Sequence, residues 1–208
     1  MQYLAEHVDV RVDPRELLSG ARSVICVADR LPTPPPQDDV PDGAGRVARY
    51  VHVIDYHKVM KKRLFAMADA LRGRWPDERF QVCVDTAPVL EREHAMRAGL
   101  GWTGKHTLLL NGQLGSHLML GEIVTTLALE PDEPETDHCG TCRRCVDACP
   151  TQCITPYSVD ASRCISYLTI EHRSEIDPSL HEPMGDWLFG CDVCQDVCPF
   201  VQKADSER

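Results

Sequence analysis

The sequence predicts an α+β fold, in which an α/β domain is followed by a small cysteine-rich domain with little regular structure. Short segments rich in β-branched residues alternate with amphipathic segments in the first part of the chain. Nine of the eleven cysteines lie in the last seventy residues. Between the two regions, EPDEPETDH (130–138) is acidic, contains two prolines and is typical of a linker. We therefore place the first domain at residues 1–130 and the second at 131–203.

Two strands and a long helix are predicted in the first half of the chain. SVICVA (23–28) and RFQVCV (79–84) are short and β-branched, as strands are. Residues 55–72 form an amphipathic helix whose apolar stripe is Met60, Leu64, Met67, Ala68 and Leu71. Residues 31–45, LPTPPPQDDVPDGAG, predict an exposed loop because proline supplies no backbone donor for a ladder.

The rest of the first domain continues this alternation. Residues 87–99 predict a second helix, with Pro88 in its first turn and Gly99 at its end. HTLLLN and SHLMLGEIVTTLAL follow as strands, although the second is long enough to be partly helical. Cys26 and Cys83 lie inside predicted strands, away from other ligands, and are predicted to be small buried residues.

Charge and hydropathy limit the classes of function that this chain can have. The net charge of −10 argues against a nucleic-acid-binding surface made by this chain alone, since phosphate contacts need clustered Lys and Arg. No apolar run is long enough to cross a membrane, and the first residues lack a signal-peptide core. The chain is therefore predicted to be cytoplasmic, without a membrane partner. Thiols stay reduced there, so dense cysteines favour metal ligation over disulfides.

The cysteine spacing indicates two [4Fe-4S] clusters. One run has the spacing C-x2-C-x2-C-x3-C-P, and a second C-x2-C-x3-C-P run follows a lone cysteine. In two-cluster ferredoxins the fourth cysteine of a run ligates the other cluster. That exchange predicts two ligand sets: Cys139, Cys142, Cys145 and Cys198 for the first cluster, and Cys149, Cys164, Cys191 and Cys194 for the second.

The second set is the less regular of the two, because residues 165–190 separate its lone cysteine from the C-x2-C pair. Zinc accepts C-x2-C pairs, but eight cysteines with two C-x3-C-P endings fit it poorly. The eight cysteines named above complete both ligand sets, so Cys153 is predicted not to be a ligand. A domain of this kind alone would carry electrons, and the 130 residues before it suggest a relay to a second cofactor.

Several longer segments carry a family resemblance. RVDPRELLSGARSVI, DYHKVMKKRL, VDTAPVLEREHAMRAGLGWTGKHTLLL, RCISYLTIE and MGDWLFGCDVCQDVCP occur in this order, and together they resemble the epoxyqueuosine reductases. The resemblance implies a first domain that cradles base-off cobalamin, related to the corrinoid domain of reductive dehalogenases, beside a two-cluster ferredoxin-like domain. It implies the reduction of epoxyqueuosine to queuosine in tRNA, with electrons from an external donor passing through the clusters to cobalt.

The resemblance also implies roles for single residues. Asp85 matches the proposed proton donor and lies where a predicted strand ends, although an Asp at this position could instead cap a helix that begins at residue 87. Lys105 and His106 in GLGWTGKH are implied to line the corrin pocket, with His106 as a pocket wall rather than a cobalt ligand. Arg11 and Ser166 match positions near the cofactor; a surface salt bridge and a helix-interior serine are the alternatives.

The chain also departs from the family pattern. Family members usually carry several dozen residues before the position of Met1, so the first domain is predicted to lack its usual N-terminal elements. They often continue into a helical-repeat domain that binds tRNA, whereas this chain stops soon after Cys198. In addition, Val53 occupies a position where family members commonly have glycine. Two other functions therefore stay open: a reductive-dehalogenase-like reduction of a small molecule, and electron carriage without catalysis.

Overall fold

The computed structural model describes residues 6–31 and 43–206. Most of the predicted proline-rich loop, residues 32–42, lies outside the described residues. The described helices are α1 (Val8–Val12), α2 (Pro14–Leu17), α3 (Tyr56–Arg74), α4 (Glu91–Arg97), α5 (Arg144–Asp147), α6 (Ile165–Ile170), α7 (His181–Met184), α8 (Val193–Asp196) and α9 (Pro199–Ser206). The described strands are β1 (Ser23–Arg30), β2 (Arg46–Val47), β3 (Phe80–Cys83), β4 (Trp102–Thr103), β5 (Leu109–Leu110), β6 (Leu118–Thr125), β7 (Ile154–Thr155), β8 (Ser158–Val159) and β9 (Trp187–Phe189).

The chain divides into two compact units. Unit 1 comprises the described residues up to Arg30 together with Ile54–Trp102 and Leu118–Thr136. Unit 2 comprises the described residues of Leu31–Val53 together with Thr103–His117 and Asp137–Arg208. The division therefore differs from a single boundary after residue 130, because two segments that precede that residue fold with the cysteine region. Sequence composition gives no sign of this exchange.

Unit 1 is built on a three-stranded antiparallel sheet. The strand order is β1-β6-β3, so β6 lies in the middle and the ambiguous segment that contains it is a strand. One face of the sheet packs against α3, where Met60, Leu64 and Ala68 are buried beside Ile123. Met67 and Leu71 join the same cluster. The predicted apolar stripe of the long helix is thus confirmed, and the i, i+4 spacing explains it.

The second predicted helix is shorter than expected. It was placed at residues 87–99, but α4 begins only at Glu91. Pro88 disfavours the helical conformation for the residue before it. The backbone before α4 instead makes tight local bonds, from Thr86 N–H to the Val84 carbonyl at 2.5 Å and from Val89 N–H to the Ala87 carbonyl at 2.8 Å. Asp85 therefore does not cap a helix that begins at residue 87.

The other face of the sheet contains a fully buried carboxyl group. Glu122 on β6 is 0% exposed, and it stands opposite Cys26 on β1 and Cys83 on β3. Neither carboxylate oxygen has a hydrogen-bond partner among the described residues. Burial, together with the nearby charge of Glu91, raises the pKa of Glu122 to about 8. Burial likewise raises the pKa of the Cys26 thiol to about 12. The Glu122 carboxyl and the Cys26 thiol are therefore both uncharged at neutral pH.

We expect Glu122→Gln to be more stable than the wild-type chain at high pH. The folded state holds the Glu122 proton up to about pH 8, whereas a free glutamate loses it near pH 4.5. Wild-type stability therefore falls as pH rises through this window, because the unfolded state binds fewer protons there. The neutral amide removes this loss, which is about 3–5 kcal/mol at most.

The measurement is the free energy of unfolding in urea across that pH window. The exposed Glu133 provides the matched control, since Glu133→Gln removes a charge without removing a buried one. If the stability difference between Glu122→Gln and the wild type stayed constant with pH, this would contradict the claim that Glu122 is protonated in the folded state.

Unit 2 is made of short elements joined by polar contacts. Buried Arg49 donates its backbone N–H to Asp192 at 2.6 Å, and its guanidinium pairs with Asp196 and Asp205. The segment around residue 49 is thereby tied to the cysteines near residue 192. Gly190 has φ +70°, and a Cβ there would lie 2.5 Å from the Ala48 Cβ, so only glycine allows this approach.

No helix among the described residues is long and apolar enough to cross a membrane.

Candidate functional site

The first candidate site, in unit 1, is the turn that follows β3. Asp85 has φ +52°, a left-handed conformation that a non-glycine residue seldom adopts. Its backbone N–H donates to Glu91 Oε1 at 2.5 Å, which ties the turn to the first residue of α4. The Asp85 side chain is 55% exposed, so this constrained backbone presents a carboxylate to solvent.

A histidine from α3 contacts that carboxylate. His57 Nε2 lies 3.1 Å from Asp85 Oδ2, and His57 Nδ1 lies 2.8 Å from Asp55 Oδ1. Asp55 also accepts the His57 backbone N–H at 3.0 Å, so it caps α3 and orients the imidazole with one side chain. The Tyr56 ring stacks on His57 with centroids 4.0 Å apart. The imidazole is thus held between two carboxylates.

The electrostatics of this group favour protonated histidine. Partial burial acts to lower the pKa of His57, but hydrogen bonds to Asp85 and Asp55 and the charges of both carboxylates outweigh it and raise the pKa above its ordinary value. The hydrogen bond from His57 lowers the pKa of Asp55. The arrangement can hold a proton on His57 and pass it to Asp85 along one hydrogen bond.

The second candidate site, in unit 2, is a cavity lined by cysteines. Its walls include the four cysteines predicted to hold the first cluster: Cys139, Cys142, Cys145 and Cys198. The last of these is far from the others in sequence, and the tertiary structure brings it to the same cavity. Lys105 Nζ donates to the carbonyls of Gly140 at 2.5 Å and Cys142 at 2.8 Å, which clamps the loop that carries the first two cysteines.

The four cysteines fit an iron–sulfur cubane. No group of three His, Cys, Asp or Glu side chains among residues 6–31 and 43–206 is arranged to hold a single metal ion. A cubane differs from a single ion because each thiolate binds a different iron at a corner of the cube. Four sulfur ligands around one shared cavity match that demand.

Four of the remaining cysteines meet in a second buried cluster of side chains. Cys149 and Cys153 are both buried, and their sulfurs lie 3.4 Å apart, while Cys164 and Cys194 pack against the same cluster. The Cys153 thiol, as hydrogen-bond donor, lowers the pKa of the Cys149 thiol and that of the Cys164 thiol. Burial raises the pKa of Cys191 to about 12. Cys153, predicted from spacing not to be a ligand, thus lies beside two predicted ligands of the second cluster.

The other predicted site residues have separate positions. His106 lines the cysteine cavity with Lys105, so this pair of the GWTGKH segment faces the predicted first cluster. Arg11 lies on α1 with its Nε 3.4 Å from the Glu6 carbonyl. Ser166 lies on α6, close to Cys164 in sequence. The contacts of these residues with a corrin stay predictions.

Sequence reasoning missed His57. It lies in a segment that the helical pattern explains fully, and its partner Asp85 is 28 positions away. Its pairing with Asp55 had a detectable signal, since an aspartate just before a helix commonly caps it. No spacing rule connects either residue to Asp85.

Comparisons with known proteins match both the first part of the chain and the cysteine region. Residues 11–86 match the family described as epoxyqueuosine reductase QueG, DUF1730, and residues 138–201 match the 4Fe-4S double cluster binding domain. The second match confirms the predicted iron–sulfur chemistry of the cysteine region. The ligand set of each cluster stays a prediction.

Relatives and a solved structure extend this match over most of the chain. An epoxyqueuosine reductase of Leadbetterella byssophila is 42% identical over 96% of this chain and 65% of the relative. One from a Synechocystis species is 47% identical over 93% of this chain and 67% of the relative. A crystal structure of epoxyqueuosine reductase with an epoxyqueuosine-modified tRNA-Tyr stem loop matches with a TM-score of 0.85 and 34% identity, over 95% of this chain and 53% of that one.

These matches confirm the α+β architecture and favour the tRNA-enzyme resemblance over a small-molecule reductase or an electron carrier. The chain spans about two thirds of the length of these curated relatives. On this evidence the chain belongs to the epoxyqueuosine reductase family.

Proposed function

We propose that this chain reduces epoxyqueuosine to queuosine in tRNA, with electrons relayed through two [4Fe-4S] clusters to cobalamin. The observation that carries the proposal is the exposed Asp85 carboxylate hydrogen-bonded to His57, in a chain that also holds a double-cluster domain. Such a chain combines a proton source with an electron path, and reduction of an epoxide needs both.

The reaction balances with two electrons and two protons. Both carbon–oxygen bonds of the epoxide break, a carbon–carbon double bond forms, and the oxygen leaves as water. An external one-electron donor supplies the electrons in two steps. The protein must therefore deliver protons to an oxygen that gains negative charge as its bonds break.

Asp85 is the residue that we propose donates to this oxygen. Its side chain reaches solvent from a constrained turn, so a substrate can approach it. His57 would return a proton to Asp85 after each donation, because its raised pKa keeps the imidazole charged over a wider pH range. Asp55 would hold the imidazole in place through its Nδ1.

The proposed electron path begins with the cysteines. Cys139, Cys142, Cys145 and Cys198 would hold the first cluster, because they line one cavity. The second set would be Cys149, Cys164, Cys191 and Cys194, supported by the packing of three of these around buried Cys153 and by their spacing. Lys105 would preserve the loop geometry of the first cluster through its two carbonyl contacts.

Cobalamin is the cofactor that we propose for the Asp85 site, on the strength of the family resemblance. A bound corrin would supply low-valent cobalt as the final reductant of the epoxide. Arg11 and Ser166 are the further residues proposed to contact it, whereas Lys105 and His106, which the family resemblance implies to line the corrin pocket, face the cysteine cavity. The first domain is proposed to be a corrinoid-binding domain of the reductive-dehalogenase type.

The proposed substrate is epoxyqueuosine within a tRNA anticodon. Support comes from the related enzyme whose structure contains a modified tRNA-Tyr stem loop. The acidic balance of this chain predicts weak electrostatic attraction to tRNA.

The test is anaerobic reconstitution with iron, sulfide and cobalamin, followed by EPR and an assay on epoxyqueuosine-containing tRNA. We expect signals of two reduced clusters, a base-off cobalt(II) signal and conversion to queuosine. Absence of the cobalt signal would remove cobalamin from the proposal. Cobalt binding without conversion of the tRNA would favour a small-molecule substrate.

A further inference from the structure

The His106 imidazole has one nitrogen whose hydrogen bond the described residues do not supply. The side chain is 3% exposed, and the backbone N–H of Leu108 donates to its Nδ1 at 3.2 Å. Because Nδ1 accepts this bond, the neutral ring carries its hydrogen on Nε2. Nε2 is enclosed and has no partner among residues 6–31 and 43–206.

A buried donor without an acceptor is rare in folded proteins. Most buried polar groups find a protein group, an ordered water or a ligand. The donor therefore needs one acceptor that the polypeptide does not provide.

The position of His106 indicates where that acceptor lies. The ring lines the same cavity as Cys139, Cys142, Cys145 and Cys198. Apolar side chains, Leu110 and Phe200 among them, form other parts of the wall. A water molecule needs two to four polar partners, and this wall offers few. The sulfur atoms of a cluster bound in the cavity accept hydrogen bonds and need no partner of their own.

The cavity wall around His106 is also held in place. Lys105, the preceding residue, is bonded to the carbonyls of Gly140 and Cys142. A Cβ added at Gly104 would lie 3.0 Å from His106 Cε1 and 2.6 Å from Leu110 Cδ1, so the ring packs closely on the backbone before it. The imidazole therefore has little freedom to turn toward another acceptor.

We propose that His106 Nε2–H donates a hydrogen bond to a sulfide or thiolate sulfur of the first cluster and raises its reduction potential. A donor to sulfur stabilises the reduced cluster, which carries the extra negative charge. His106 is thus a positioning and potential-setting residue of the electron path. The inference rests on the proposed ligand set of the first cluster and is independent of cobalamin and tRNA.

The first test is a redox titration of the reconstituted full chain, followed by EPR. We expect His106→Phe to move one of the two cluster midpoints to a more negative potential and to leave the other unchanged. His106→Gln keeps an N–H donor and should move that midpoint less. His94→Phe, at a histidine of unit 1, is the matched control and should move neither. Unchanged midpoints in His106→Phe would overturn the proposal.

A second test needs no variant and so does not depend on how His106→Phe folds. In wild-type chain labelled with ¹⁵N-histidine, pulsed EPR of the reduced first cluster should detect a ¹⁵N coupling. No coupling, with both clusters present, would overturn the role of His106 while leaving the proposed function intact. Failure to bind two clusters would instead contradict the proposed function.

Discussion

Asp85→Asn is expected to lower the rate of epoxyqueuosine reduction by about 10²–10⁴-fold, the range for loss of a general acid. Cluster content and cobalamin binding should be unchanged. The amide has nearly the same shape, and the backbone N–H of Asp85 can still donate to Glu91. What the variant loses is the proton that the departing epoxide oxygen needs. The measurement is single-turnover reduction of modified tRNA by the reconstituted chain.

The control for this experiment is Asp77→Asn, which removes an exposed carboxylate elsewhere in unit 1. It should leave the rate unchanged. Full activity of Asp85→Asn would contradict the proton-donor role. Loss of cobalamin binding in that variant would point to a structural role instead.

The pH dependence of the same reaction should follow the protonation of the His57 imidazole. Its pKa is raised in the folded protein by Asp85 and Asp55, against the effect of burial. The imidazole is charged below that pKa and loses its proton above it, so the rate should fall as pH rises through the raised value. His57→Gln cannot carry the proton and should flatten this limb of the profile. An unchanged profile in His57→Gln would show that Asp85 is reprotonated by another route.

Cys198→Ser is expected to remove one whole cluster and lower the iron content from about eight to about four per chain. Cys198 shares its cavity with Cys139, Cys142 and Cys145, so loss of its thiolate leaves the first cluster with three protein ligands. The same change should release α9 from the loop that begins at Cys139, because the proposed cluster would join the two segments. We therefore also expect a lower unfolding temperature than in the wild type.

Cys153→Ala is the matched comparison. Its sulfur lies 3.4 Å from that of Cys149, yet the proposed assignment gives it no iron. It should keep both clusters, as measured by iron and sulfide analysis and by EPR. Loss of half the iron in Cys153→Ala, or full iron in Cys198→Ser, would contradict the proposed ligand sets.

Much of the regular structure of this chain could be predicted from local patterns. The stripe from Met60 to Leu71 repeats at helical spacing, so one face of α3 had to be apolar and buried. The prediction failed at the start of α4, which begins at Glu91 instead of residue 87; Pro88 disfavours the helical conformation of Ala87. A tolerated first-turn proline and a proline that excludes the helix before it have the same sequence signature.

The sequence by itself determined the iron–sulfur character of the cysteine region and the family, since the spacing from Cys139 to Cys149 predicts iron–sulfur binding and the longer motifs resemble the family that the comparisons then showed. Only the tertiary structure decided which groups meet: His57 with Asp85, and Lys105 with the loop at Gly140. The physical reason is the range of the forces involved. Spacings of a few residues follow from backbone geometry, whereas contacts between distant segments arise when the whole chain buries its apolar surface and pairs the polar groups that remain.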